Sequence, residues 1–174
     1  TNEALAQVGG FLAVVTTNGE GRLAGKIDYQ RTLRIDEKDV RVETSVNSDG
    51  KDPVTELYET LPVFLGDAKE STNASVAIEF QADGKWIPAD SAAREKVKAV
   101  RVTRFQGAVQ ITFDRPQRIT LSPKVWQDKY LTRAQSRNVM IDLLAEAGGL
   151  PAGKAVGVGY VIAPASDPKT RKEK

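Results

Sequence analysis

The alternation of apolar and polar residues constrains the fold of this chain more than any other feature. In residues 23–35 the odd positions are mostly apolar or aromatic and the even positions are mostly polar. After a polar turn at residues 36–39, the same alternation runs from Val40 to Val46. Successive side chains of a β-strand point to opposite faces, so a period of two predicts strands with one buried face. The turn between the two runs predicts a hairpin.

Further strands are predicted on both sides of this hairpin. The Asn18-Gly19 pair suits the positive φ angles of a type I′ turn and joins residues 11–17 to the hairpin, which predicts a three-stranded meander. A second meander is predicted over residues 100–121. Its apolar positions change from even to odd near residues 103–104, which indicates a turn or bulge there. Residues 156–162 alternate again and predict a closing strand.

Two shorter segments also carry strand signals. Residues 57–65 are largely apolar but contain Pro62. Proline has no backbone N–H for a ladder hydrogen bond, so Pro62 indicates a sheet edge or a bulge. Residues 76–80 alternate before a turn at residues 82–85, which predicts one more strand.

The segment 131–147 fits two interpretations. Its apolar residues match one face of a helix that would stop at Gly148-Gly149. They also match a core strand with Val139, Ile141 and Leu143 on one side. Both stay open, and the neighbouring strands favour the strand.

Strand and turn signals together predict an all-β chain. Turns recur about every 8 to 12 residues, as in sandwiches and barrels. A chain of 174 residues is long enough for one core and needs no second domain. We therefore predict a single antiparallel β-sandwich over residues 1–163, with one short helix near 131–147 as the open alternative. Residues 164–174 are predicted to be a polar tail or linker stub.

The residue types that are missing exclude several kinds of chemistry. The chain has no cysteine and no histidine. Disulfides, thiolate nucleophiles, thiolate zinc sites and a Ser-His-Asp relay are therefore impossible. Carboxylate pairs such as Glu56 with Glu59, or Asp83 with Asp90, could act as acid and base in glycoside chemistry. Because the chain carries 23 acidic residues, such pairs arise by chance, and we predict no catalytic residue, metal or cofactor.

Charge and hydropathy limit the partners. The formal net charge of +2 comes from 25 basic and 23 acidic residues that are mixed along the chain, so no broad field favours nucleic acid. The longest apolar run, residues 11–15, is far shorter than a membrane span, so no membrane insertion is expected. The chain starts at Thr1 without an initiator methionine or a leader, which indicates a processed piece of a longer protein.

Aromatic residues supply the candidate binding site. Trp86 follows a turn, and Trp126 lies with Tyr130 in a loop-like segment. An exposed aromatic ring on a rigid sandwich can stack on a sugar or anchor a protein interface. Partial burial at the open end of the core is the competing interpretation. Trp86, Trp126 and Tyr130 are therefore the candidate ligand-binding residues.

Three stretches carry a resemblance to a class of known proteins. They are ELYETLP at 56–62, DGKW at 83–86, and the residues from AVRV at 99–102 to FDRP at 113–116. These stretches resemble the β-rich, non-catalytic regions of large secreted bacterial proteins, including the accessory sandwiches of polysaccharide lyases and glycoside hydrolases. The resemblance implies an accessory module, no catalytic residue, and an extracellular or periplasmic location.

Three hypotheses on function follow. The first is a non-catalytic, carbohydrate-associated module of a larger exported protein, which predicts that Trp86 or Trp126 is exposed on a flat or concave face. The second is a structural or assembly module that packs on neighbouring domains or protein partners. The third is a carboxylate-dependent carbohydrate-active enzyme. The missing histidine and cysteine favour a binding or scaffolding role over catalysis.

Overall fold

The computed structural model describes residues 2–4, 27–51, 54–67, 76–104, 107–127 and 134–165. All regular elements in these ranges are strands, which confirms the all-β class. They are β1 (Asn2–Ala4), β2 (Ile27–Ile35), β3 (Val40–Ser48), β4 (Tyr58–Asp67), β5 (Ala77–Ala82), β6 (Lys85–Pro88), β7 (Arg94–Arg104), β8 (Gly107–Leu121), β9 (Trp126–Gln127), β10 (Ala134–Asp142) and β11 (Val156–Ala165).

The predicted β2–β3 hairpin is confirmed. The two strands pair antiparallel in one unbroken register, from Ile27 opposite Ser48 to Ile35 opposite Val40. The Asp36 carboxylate accepts hydrogen bonds from the backbone N–H groups of Lys38 (2.7 Å) and Asp39 (3.0 Å) and so holds the turn. The strand and turn predicted at 11–19 lie outside the described residues.

The second predicted meander is a single hairpin in the described residues, because residues 107–121 form one long strand. Strands β7 and β8 pair antiparallel, and the chain reverses between Arg104 and Gly107, where the change of parity indicated a turn or bulge. Register shifts between Arg94 and Ala99 add irregularity that the alternation did not indicate. There Lys96 has φ +55°, a left-handed conformation that is unusual for a residue with a side chain.

Residues 131–147, which fitted both a helix and a strand, contain a strand. Its described part consists of β10, followed by turns at residues 143–147, and no helix occurs there. Strand β10 pairs with β4 over its whole length, with a bulge beside Ser136. Among the strands in the described ranges, β4 pairs only with β10, so Pro62 lies on an edge strand as predicted.

One antiparallel sheet connects all of these strands, and β8 links its two parts. The main path runs β1-β2-β3-β11-β8-β7-β5-β6. The first part of β8 pairs with β11, whereas Ile119 to Leu121 pair with β10, which carries β4 and β9. Side chains of β4 nevertheless contact β2 and β11, with which β4 shares no backbone pairing. The β4-β10 part therefore packs over the face of β2 and β11, an arrangement consistent with the predicted sandwich.

The core lies between these two parts of the sheet. Its largest fully buried side chains come from five strands: Phe80, Val97, Val100, Ile119, Leu121, Val139, Ile141 and Tyr160. The odd positions of β8 from Ile111 to Leu121 are mostly buried, as the alternation predicted. No helix within the described ranges is long and apolar enough to cross a membrane.

Candidate functional site

Two exposed aromatic side chains share a row across β9, β10 and β4. Trp126 on β9 lies opposite Ser136 on β10, and Ser136 lies opposite Phe64 on β4. Residues directly opposite each other on paired strands present their side chains to the same face. Trp126 and Phe64 therefore flank Ser136 on the outer face of the β4-β10 part. We call these three residues the aromatic row.

The aromatic row is open to solvent. Trp126 keeps 60% of its surface exposed and Phe64 keeps 47%, both unusually high for large apolar residues. The Arg104 guanidinium lies over the Phe64 ring, with its carbon 5.1 Å from the ring centroid. Among the described residues, Nε of Arg104 has no hydrogen-bond partner although it is buried. The row thus combines two exposed rings with a cation that lies over one of them.

Trp86 has a different environment. It lies on β6, at the edge of the sheet, and is only half-buried. The Arg101 guanidinium stacks over its ring at 4.2 Å from the centroid, and Glu79 holds that guanidinium at 2.8 Å. One face of Trp86 is therefore covered by Arg101, as one face of Phe64 is covered by Arg104, but Trp86 is less exposed than Phe64. The third candidate, Tyr130, lies outside the described residues.

The first pair of carboxylates lies in two different environments. Glu56 precedes β4 and is exposed, whereas Glu59 lies on β4 and is buried in the core. Asp90 is exposed and binds Arg94 at 2.7 Å, and this hydrogen bond lowers the pKa of the Asp90 carboxyl. No group of three or more acidic residues that could hold a metal ion occurs in the described part of the chain.

Glu59 instead belongs to a buried polar cluster of three strands. It accepts hydrogen bonds from the Arg31 guanidinium of β2 and from the Tyr160 hydroxyl of β11, the latter at 2.9 Å. Arg31 also donates to the Tyr160 oxygen at 2.9 Å. Burial of Tyr160, together with the nearby Glu59 charge, raises the pKa of the Tyr160 hydroxyl well above its usual range. Sequence reasoning noticed Glu59 only as a partner of Glu56 and missed this cluster.

A cavity of about 220 Å³ opens beside the cluster. Six residues with polar side chains line it: Tyr29, Arg31, Thr44, Tyr58, Glu59 and Thr60. Its apolar walls are formed by residues of β2, β3, the segment before β4 and the turns after β10: Ile27, Val46, Val54, Leu57, Leu143 and Leu150. An apolar cavity with a few polar groups has the character of a small-molecule site.

A wider cleft of about 700 Å³ is lined by charged residues of both signs. Lys96, Arg115 and Arg118 lie there beside Glu95 and Asp142. Nε of Arg118 is 3.2 Å from a Glu95 carboxylate oxygen and 3.9 Å from one of Asp142. Because the charges of this cleft largely balance, it favours no particular sign of ligand.

Comparison of the chain with known protein families, with curated proteins and with solved structures finds no match.

Proposed function

We propose that this chain is a non-catalytic β-sandwich module of a larger exported protein and that it binds carbohydrate through the aromatic row. The observation that supports this most is the exposure of Trp126, whose ring lies on a sheet face and keeps 60% of its surface in solvent. An indole ring offers a flat apolar surface that can stack on the apolar face of a sugar.

The spacing of the row suits an extended glycan. Trp126 and Phe64 are separated by two strand spacings, which is about 10 Å. More than one ring of a glycan chain would span this distance. Arg104 and the hydroxyl of Ser136 would donate hydrogen bonds to the sugar hydroxyls between or beside the two rings.

The test is a titration of the domain with a panel of neutral and acidic polysaccharides, followed by tryptophan fluorescence and calorimetry. We expect one class to bind with a change in fluorescence. Trp126→Ala and Phe64→Ala should each weaken that binding by roughly fivefold or more, as for residues central to an interface. Val109→Ala is the matched control, since Val109 is similarly exposed but lies on β8, away from the row. Flat isotherms across the panel would reject the proposal.

One observation favours the assembly module as a second candidate. Tyr58 lies on the same face of β4 as Phe64, and it is 37% exposed. The outer face of β4 thus exposes two large side chains, and exposed aromatic residues often anchor contacts between proteins. If this face packs on a neighbouring domain, Tyr58→Ala and Phe64→Ala will weaken that contact in the longer protein, and polysaccharides will not compete with it.

A further inference from the structure

Arg104 places a cation at one end of the aromatic row. Its guanidinium carbon lies 5.1 Å from the centroid of the Phe64 ring. No described residue forms a hydrogen bond or an ion pair with its Nη1 or Nη2, and of its three nitrogens only Nε is buried without a partner. Nη1 and Nη2 are therefore open to solvent. A guanidinium that stacks on a ring keeps these in-plane N–H groups free for a second partner.

The outer face between Thr60 and Phe64 carries no acidic side chain. The outward positions next to the row are uncharged: Thr60, Pro62, Asn138 and Met140. Towards the far end of β10, the first acidic residue on this face is Asp142, six residues from Ser136 and about 20 Å away along the strand. Because no carboxylate of the described residues pairs with Arg104, its charge is available to a ligand.

A second cation lies at the other end of the row. Lys124 precedes Trp126 by two residues, which keeps their Cα atoms within about 8 Å of each other. The Lys124 side chain is exposed, and no described residue forms an ion pair with it. Each of the two rings, Trp126 and Phe64, thus has a cation nearby. This local excess of positive charge attracts an anion, although the charges of the whole chain are mixed.

The geometry of the donors indicates which anionic group fits. The two terminal nitrogens of a guanidinium match the two oxygens of a carboxylate, and this pairing is stronger than a hydrogen bond to a neutral oxygen. A sugar hydroxyl offers one oxygen and no charge. In the described part of the chain, no guanidinium lies over the Trp126 ring, which is therefore open for stacking.

We infer that the aromatic row binds an acidic glycan: Trp126 stacks on one sugar unit, and Nη1 and Nη2 of Arg104 pair with the carboxylate of a uronic acid unit near Phe64, about 10 Å along the row. This inference rests on the proposed carbohydrate function and names the class of glycan. Lys124 adds long-range attraction for the polyanion.

The test uses matched pairs of polymers. Polygalacturonate, alginate and hyaluronan are each compared with their methyl esters, which keep the sugar backbone and remove the carboxylate charge. Each polymer is titrated into the whole chain by calorimetry at about 50 mM salt and again at about 0.5 M salt. We expect at least one uronate polymer to bind roughly tenfold more tightly than its ester at low salt. Added salt should weaken binding of the polymer and leave binding of its ester unchanged.

Two variants locate the charge contact. Arg104→Gln removes the charge and should lower binding of the uronate polymer by roughly tenfold, to the level of its ester, without changing binding of the ester. Arg104→Lys keeps the charge but loses the fork, so its effect should be smaller. Arg115→Gln is the matched control, since Arg115 is also an exposed cation but lines the wide cleft. The comparison of polymer with ester uses the parent chain and does not depend on the folding of any variant.

Other results would overturn the inference in distinguishable ways. If every polymer binds no better than its ester, or if Arg104→Gln leaves uronate binding unchanged, the acidic glycan is wrong. Binding of a neutral polysaccharide that Trp126→Ala abolishes would then still support the carbohydrate function. Flat isotherms for all polysaccharides would reject both proposals. Both would also fail if a single-stranded oligonucleotide bound the row more tightly than every polysaccharide, since aromatic rings with nearby cations also bind unpaired bases.

Discussion

The buried ion pair between Arg31 and Glu59 makes a quantitative prediction about stability. The Glu59 side chain is 6% exposed and accepts hydrogen bonds from both Arg31 and Tyr160. In Glu59→Leu the Arg31 cation loses its only carboxylate partner among the described residues, and the Tyr160 hydroxyl loses its acceptor.

The expected magnitude follows from burial. Removing one partner of a buried ion pair costs about 3 to 5 kcal/mol, because the other charge stays buried without compensation. One third of the Arg31 side chain is exposed, so water screens part of that charge. We therefore expect Glu59→Leu to lower the free energy of unfolding by about 3 kcal/mol, near the lower end of that range.

The double variant separates the charge effect from simple loss of packing. Replacing a buried ion pair by apolar residues of similar volume is often neutral or stabilising. Arg31→Met combined with Glu59→Leu should thus cost only about 1 to 3 kcal/mol relative to the parent protein, which is the cost of leaving the buried Tyr160 hydroxyl without its two partners. The double variant should also lose at least about 2 kcal/mol less stability than the summed losses of the two single variants.

The assay is equilibrium unfolding in urea at pH 7, followed by far-ultraviolet circular dichroism and analysed by linear extrapolation. For a slope of about 2 kcal/mol/M, a loss of 3 kcal/mol moves the midpoint by about 1.5 M. Adding salt should change the loss little, since screening acts mainly on exposed charges. A loss below about 1 kcal/mol, or strict additivity in the double variant, would refute the reasoning.

Two more predictions concern β11. The pKa of Tyr160 is raised in the folded chain, so its hydroxyl stays protonated above pH 10.0, where the same hydroxyl ionises in the unfolded chain. Tyr160 therefore contributes fully to the stability of the fold below pH 10, and this contribution to stability is lost as the pH rises. Between pH 9 and 11 the parent should lose about 1.4 kcal/mol more than Tyr160→Phe in urea unfolding, and parallel curves would contradict this. A Cβ on Gly157 would collide with the backbone oxygen of Thr44, whereas one on Gly159 would meet only the movable carboxylate of Asp114. Gly157→Ala should therefore destabilise the domain by about 3 kcal/mol in thermal unfolding and Gly159→Ala by less than half of that, and equal effects would disprove the reasoning.

Local patterns predicted the strands because their signals lie within a few residues. Alternation placed the β2–β3 hairpin, and the polar residues around Asp36 marked its turn. Pro62 indicated an edge because its missing N–H is a property of one residue. For the candidate site, Trp126 was predicted from its residue type alone. Phe64 was missed, although its even position on the edge strand β4 is out of phase with the buried Glu59 and Val63 and could have indicated an outward ring.

Contacts between distant residues were decided by the tertiary structure. Glu59 is 28 residues from Arg31 and 101 from Tyr160, and no local pattern relates them. The aromatic row exists because β10 pairs with both β4 and β9, and β10 is part of the segment whose apolar residues fitted a helix as well as a strand. Periodicity tells which side of a strand is apolar. It does not tell which strand lies alongside, because pairing depends on how the whole core closes. That pairing placed Trp126 and Phe64 on either side of Ser136, and Thr44 opposite Arg31.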